Sequence, residues 1–290
     1  MMTTFDDIIK CYSYNLSNFH RVKELIAKDL VIPFVGAGMS DPIYPLWGKL
    51  LKKIAIGEGY SDSEIYDMFD RHSYEEVADM LNINDFRMKQ IICNEYSKMK
   101  IDHVLDSMSV SLLPQLFCGM VITTNFDLVL EEVYKKADNN FERIISPINT
   151  SMYMDALVGN EHYLLKYHGD VLNNDELILT KTQYEKYYNE SGDISQALLN
   201  IFEGKYILFL GCSIKSDRTI DVLYQSVLKN KGIKHFAFVE KPETMQEYRK
   251  RDAELSKLHI IPIWYPHSKH ESVGVLLQRI IDELPLKKLK

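Results

Sequence analysis

Residues 31–41 read VIPFVGAGMSD. Five mostly apolar residues, Val31–Val35, run straight into Gly36-Ala37-Gly38 and then Ser40. This is how a buried parallel strand ends in a phosphate-binding turn at the carboxyl edge of a sheet. Glycine permits the tight turn and lets an anionic group approach the backbone N–H groups. The dinucleotide fingerprint G-x-G-x-x-G is incomplete, because Asp41 stands where the third glycine would be. The same stretch also reads as a Gly-rich turn between a strand and a helix. Pro33 has no N–H to donate to a ladder, so the strand must place it where the ladder needs no donor.

The bulk composition sets wide bounds. A chain of 290 residues with 46% hydrophobic and 26% charged residues is ordinary globular protein. It fits one α/β domain over 1–290 with a helical module inserted at 57–116. The net charge is -7, and the only basic cluster is Lys287, Lys288 and Lys290, so no nucleic-acid face is advertised. Cys11, Cys93, Cys118 and Cys212 are scattered without a C-x-x-C, which argues against a disulfide framework or a cysteine zinc site. No apolar run resembles a signal peptide or reaches transmembrane length. These features together predict a cytoplasmic protein that uses no membrane and no metal.

Outward from the glycine turn, the pattern alternates. Residues 1–30 are helical by spacing, and Pro42 and Pro45 delay the next helix to Leu46, Trp47, Leu50, Leu51 and Ile54. Residues 61–116 carry helical spacing with little strand signal, and Ser61 or Ser63 supplies a cap. That much helix is too long for one crossover between strands. Strands are predicted at 120–123, 142–145, 163–167, 177–179, 206–210, 235–239 and 260–264, with helices at 127–136, 182–188, 194–202, 219–228, 243–258 and 272–284. This β-α alternation predicts a doubly wound, mostly parallel, Rossmann-like sheet with helices on both faces.

Four strand ends then fall at the edge where such sheets bind ligands. They are Gly36-Ala37-Gly38-Met39-Ser40, Thr123-Thr124-Asn125-Phe126-Asp127, His168-Gly169-Asp170 and Gly211-Cys212-Ser213. Singly, each has an ordinary reading: Asn125 and Asp127 are common caps, His168 a turn residue, Ser213 a helix entry. Taken in order, GAGxS, TNxD, HGD and GxS resemble the sirtuin fold family. The pattern is closest to the sirtuin-like proteins of prokaryotic phage defence, such as the NAD-cleaving subunit of Thoeris systems. PLWGKLL after the glycine turn, LLKYHGD before ELILTKTQYEKYY, and FLGCSIKSD with Asp217 and Asp221 belong to the resemblance, which spans about residues 30–264. The chain departs from the protein-deacylating sirtuins in three places. It has no paired cysteines for a zinc ribbon, DPIYPLWGKLL in place of a GIPDFR-like segment, and Thr124-Asn125 in place of a QN pair.

The resemblance implies NAD as the substrate. Gly36, Ala37, Gly38 and Ser40 would hold the diphosphate, Gly211, Ser213 and Asp217 would lie on the adenosine half, and Thr124 would line the pocket. Asn125 would sit by the nicotinamide ribose, Asp127 would orient the loop or bind that ribose, and His168 would act as general base. Nicotinamide leaves readily because its ring nitrogen is cationic in NAD. The protein has mainly to place the ribose, stabilise positive charge at its anomeric carbon and position water. The expected activity is an NAD hydrolase (a glycohydrolase releasing nicotinamide and ADP-ribose) that depletes NAD in antiviral defence. The resemblance further implies a homo-oligomer, or a partner such as a HerA-type ATPase, as the trigger. A regulatory NAD- or ADP-ribose-binding subunit and an NAD-dependent deacylase are the competing readings.

Overall fold

A computed structural model describes residues 3–97, 105–146, 152, 161–189, 192–214, 218–229 and 233–284. Among the described residues seven strands form a single sheet: β1 (Val31–Val35), β2 (Val121–Thr123), β3 (Arg143–Ile145), β4 (Tyr163–Lys166), β5 (Tyr206–Leu210), β6 (His235–Glu240) and β7 (Ile260–Tyr265). Their spatial order is β3-β4-β2-β1-β5-β6-β7, and every pairing is parallel. Strands buried on both faces explain the unbroken apolar runs of β1 and β5, which a half-exposed strand would interrupt with polar residues.

The order places β1 at the turning point of the sheet. The chain leaves β1 towards β2 on one side and returns to β5 on the other. The crevice at the carboxyl end of β1 is therefore flanked by the loops after β2 and β5, the usual ligand position in an open α/β sheet. Pro33 lies in this central strand. It is opposite Leu208 of β5, while the ladder to β2 begins only at Phe34, opposite Ile122.

One sheet face packs under Phe19, Val22, Leu50, Leu51, Val133 and Leu276. The other packs under Leu198, Phe202, Leu223, Leu255 and their neighbours. Asn15 fastens the N-terminal helices to edge strand β7. Its Nδ2 donates to Ile8 O and Trp264 O, both at 2.7 Å, and its Oδ1 accepts from Trp264 N–H at 2.9 Å. A buried amide thus satisfies backbone groups that the edge would leave unpaired.

Between β1 and β2 the chain forms helices Trp47–Gly57, Asp62–Arg71, Tyr74–Met80 and Asp85–Ser97, then short turns up to Leu113–Leu116. Ser61 and Ser73 both close capping boxes, with Glu64 and Glu76 at the third helical position. Residues 177–179 are a correction to the sequence reading. They are buried and apolar yet join no ladder, because β4 already has β3 and β2 on its two sides. Ile178 instead donates its N–H to His168 O at 3.0 Å and backs the loop after β4. Among the described residues no helix is long and apolar enough to cross a membrane.

Candidate active site

The loops after β1, β2, β4 and β5 line one cleft of about 2460 Å3. The turn after β1 is a single 3-10 turn, Ala37–Met39, and the helix proper waits until Trp47. β1 and β5 approach so closely here that three glycines fit against one another. A Cβ on Gly36 or Gly38 would lie 2.7 or 2.9 Å from Gly211 O, and one on Gly211 would lie 2.6 Å from Met39 N. Gly211 also has φ +64°, a conformation that side chains disfavour.

This closeness changes what the turn can offer a ligand. Gly36 N–H donates to Leu210 O at 2.8 Å and Gly38 N–H to Gly211 O at 3.0 Å. Met39, Ser40 and Asp41 donate back to Gly36 O or Ala37 O. Among the described residues, Ala37 is left as the N–H of this turn without a protein acceptor.

Ser40 is 3% exposed and its hydroxyl works inside the protein. Asn125 Nδ2 donates to Ser40 Oγ at 3.1 Å, and the Ser40 hydroxyl favours the charged form of the Asp127 carboxylate. The Asn125–Ser40 bond ties the loop after β2 to the loop after β1. It also orients the Asn125 amide: its N–H2 faces Ser40, and its Oδ1 accepts no hydrogen bond among the described residues. Asn125 N–H is anchored on Thr123 Oγ1 at 3.0 Å, and that hydroxyl donates to Val35 O at 2.8 Å. Burial pushes the Asp127 carboxyl upward, opposed by the Val129 N–H at 3.0 Å, by Lys166 and by Ser40.

His168 follows β4 and is 7% exposed in the same cleft. Tyr184 OH lies 3.1 Å from its Nδ1, with the two rings edge to face. The Phe126 ring lies tilted near it, with centroids 6.4 Å apart, and Trp47 and Tyr96 meet Phe126 edge on. This aromatic wall gives the imidazole one fixed orientation. Gly169, at φ +98°, brings the backbone within reach of Glu176, where any Cβ would strike a carbonyl oxygen at 2.4 Å.

Of the residues singled out from the sequence, Gly36, Ala37, Gly38, Ser40, Thr124, Asn125, Asp127, His168, Gly211 and Ser213 all line this cleft. Asp217 lies outside the described residues. Ser213 is exposed at the rim, its carbonyl held by Arg251. Two features escaped the sequence reading. Tyr184 sat unnoticed in the helix Lys181–Tyr187. Lys166 is a wholly buried lysine in an otherwise apolar strand, and that break in the pattern was the available signal.

The profile of the SIR2-like domain matches residues 119–263, half of the chain, and this segment holds Asn125, Asp127, His168 and Gly211. The chain belongs to the SIR2-like domain family. The SIR2-like chain is also 29% identical over 285 residues to the NAD(+) hydrolase ThsA of Bacillus cereus (strain MSX-D12), covering 91% of this chain and 56% of that protein. It is 28% identical over 211 residues to the protein of that name from Acinetobacter baumannii (strain 532279), covering 71% of this chain and 40% of the relative. With the one from Cytobacillus dafuensis it shares 23% over 278 residues, covering 86% and 52%. The SIR2-like chain thus spans about half the length of the curated relatives it matches. A solved structure from work on Sir2 enzymes aligns with 91% of this chain and 97% of its own at 12% identity, with a TM-score of 0.46, too loose a likeness to place individual residues.

Proposed function

We propose that this chain hydrolyses NAD at the nicotinamide–ribose bond, releasing nicotinamide and ADP-ribose, and that it does so in antiviral defence. One observation carries the reading. The hydrogen-bonded pair Asn125–Ser40, the buried Asp127 carboxylate and the braced imidazole of His168 line the same cleft, at the turning point of a parallel sheet. The names of the relatives, each an NAD(+) hydrolase, support the same substrate.

In this reading the Asn125 Oδ1 accepts from a hydroxyl of the nicotinamide ribose or holds the attacking water, since its Nδ2 is already committed to Ser40. The Asp127 carboxylate orients the loop by accepting from Val129 N–H, and Ser40 keeps the Asn125 amide in register. His168 takes the proton of the attacking water; histidine as a residue type exchanges protons near neutral pH. Bond breaking puts positive charge on the anomeric carbon, and the neighbouring carbonyl and carboxylate oxygens stabilise it. Ala37 N–H offers the diphosphate its amide contact, fewer than the sequence expectation of a whole glycine cradle. Gly36, Gly38 and Gly211 then serve by letting β1 and β5 close together. Ser213 and Thr124 remain assigned to NAD, Ser213 on the adenosine half. Self-association or a partner such as a HerA-type ATPase supplies the trigger, because unrestrained NAD loss would harm the cell that makes the enzyme.

The test is product analysis with purified protein, NAD and an acyl-lysine peptide added in separate arms. Free ADP-ribose and nicotinamide without peptide support the reading. Turnover that requires the peptide would make the chain a deacylase. Tight NAD binding without turnover, alone and with partner, would make it a regulatory subunit.

A further inference from the structure

Lys166 is the last residue of β4, fully buried, and its ammonium makes four contacts. It donates to Asp127 O at 2.7 Å and to Phe126 O at 3.2 Å, both in the loop after β2. It lies 2.7 Å from Glu131 Oε1 on the next helix and 3.1 Å from Asp170 Oδ2 in the loop after β4. A second tie runs beside it: Val171 N–H donates to Phe126 O at 3.2 Å. One side chain therefore joins the loop bearing Asn125 and Asp127 to the loop bearing His168.

Stability alone is a poor reason for such a group. Desolvating an ion pair costs several kcal/mol, and well-packed apolar residues of similar volume often serve as well or better. An apolar residue in β4 could fill the space, yet it could not hold two carbonyl oxygens of the neighbouring loop. Burial by itself would push the Lys166 ammonium down, but the carboxylates of Glu131 and Asp170 outweigh it and hold it charged. Two carboxylates, those of Glu131 and Asp170, share that one ammonium, with the Asp127 carboxylate nearby, and among the described residues Glu131 Oε2 has no hydrogen-bond partner. The charge is thus tied to the loops on both sides.

We propose that Lys166 is a positioning residue for the cleavage reaction: its ammonium fixes the Asn125–Asp127 loop relative to His168 through two carbonyls and the Asp170 carboxylate. This rests on the hydrolase reading given above. Lys166 touches no substrate and acts through the loop, so its removal slows turnover more than it weakens NAD binding.

The test compares E131Q with K166M/E131Q, so that the lysine is removed without stranding both carboxylates. The double variant is expected to lose about 100-fold in kcat, the scale set by ångström misplacement of reacting groups. Its KM stays within about threefold, because uniform binding is untouched. Hydrogen exchange in the peptide 123–129 rises about tenfold above E131Q, because local opening of the loop becomes easier. A folded double variant with the kcat and loop exchange of E131Q would overturn the proposal, as would an equal loss in NAD affinity and kcat. Should the double variant not fold, Asp170→Asn keeps the lysine and can keep the cap on Leu172 N–H, which now lies 2.8 Å from Asp170 Oδ1. D170N is then expected to lose about tenfold in kcat, and wild-type kcat in that variant would count against the brace. Wild type that cleaves no NAD would sink the hydrolase reading, while the exchange data would still judge the brace.

Discussion

Substituting Gly211 by alanine tests whether close approach of β1 and β5 builds the site. At φ +64° an alanine pays a backbone penalty of about 1 kcal/mol. Its Cβ would also sit 2.6 Å from Met39 N, 2.8 Å from Met39 Cγ and 3.0 Å from Gly38 C. The Met39 side chain can turn away, but the two backbone atoms move only if the turn after β1 moves. Overpacking of that kind costs about 1–3 kcal/mol. The two effects together give about 3 kcal/mol, or a fall in Tm of about 5 °C for a chain of this size. Displacing the turn also withdraws the Ala37 N–H and strains the Ser40–Asn125 bond, so NAD affinity falls at least about tenfold, near 1.4 kcal/mol. Gly204→Ala is the matched control. Gly204 ends the helix Asp193–Gly204, and a Cβ there meets nothing within 4 Å. It should leave affinity alone and change stability by at most about 1 kcal/mol, in the stabilising direction. Thermal unfolding and equilibrium NAD binding on both variants decide the matter. A Gly211→Ala protein with wild-type Tm and affinity would refute the reasoning.

Three further outcomes follow from the same geometry. Ser40→Ala removes the hydrogen bond that orients the Asn125 amide, so kcat for NAD cleavage falls about tenfold or more while stability drops only about 1–2 kcal/mol, read by steady-state kinetics and urea unfolding. Arg218→Gln removes the double contact to Glu75, 2.8 and 3.2 Å long, between the helices Arg218–Lys229 and Tyr74–Met80 at the cleft wall; amide exchange in 74–80 should rise, with a loss of about 1 kcal/mol or less because the pair is partly exposed. His235 is held down to about 4 by burial and then by neighbouring His259. Its folded value lies below the unfolded one, so the unfolded chain binds the extra proton between about pH 6.5 and pH 4 and stability declines as pH falls through that window. The loss attributable to this residue approaches about 3 kcal/mol by pH 4. His235→Gln, which retains an acceptor for Ile207 N–H, should flatten that part of the urea-unfolding profile. An unchanged slope would show that other groups set it.

The sheet was legible because buried parallel strands leave a loud signal. Val31–Val35 and Tyr206–Leu210 are apolar runs ending on glycine, the form that a strand buried on both faces takes. Residues 177–179 share the apolar run and lack the ladder. Composition registers burial, and the absence of a free sheet edge beside them is a fact of topology. The cleft residues were legible as polar groups directly after strands. Their division of labour was not. Whether Ser40 faces a ligand or Asn125, and whether the Gly36 and Gly38 amides face an anion or β5, depends on a strand 170 residues further along the chain pressing against the turn (Gly36 N–H meets Leu210 O and Gly38 N–H meets Gly211 O) on the order of a hydrogen-bond length away. Lys166 shows the same limit. Its charge is visible in the sequence, but its partners Glu131, on the helix Val129–Lys136, and Asp170, in the loop after β4, meet only in the fold.

The central claim is that Asn125 and His168 together cleave NAD. Nicotinamide release by purified wild type, Asn125→Ala and His168→Ala proteins, measured with NAD alone and with any activating partner present, tests it most directly. The account predicts release by wild type and a fall of at least about 100-fold in each variant, with folding and NAD binding retained. Release at the wild-type rate from the Asn125→Ala/His168→Ala double variant would contradict it.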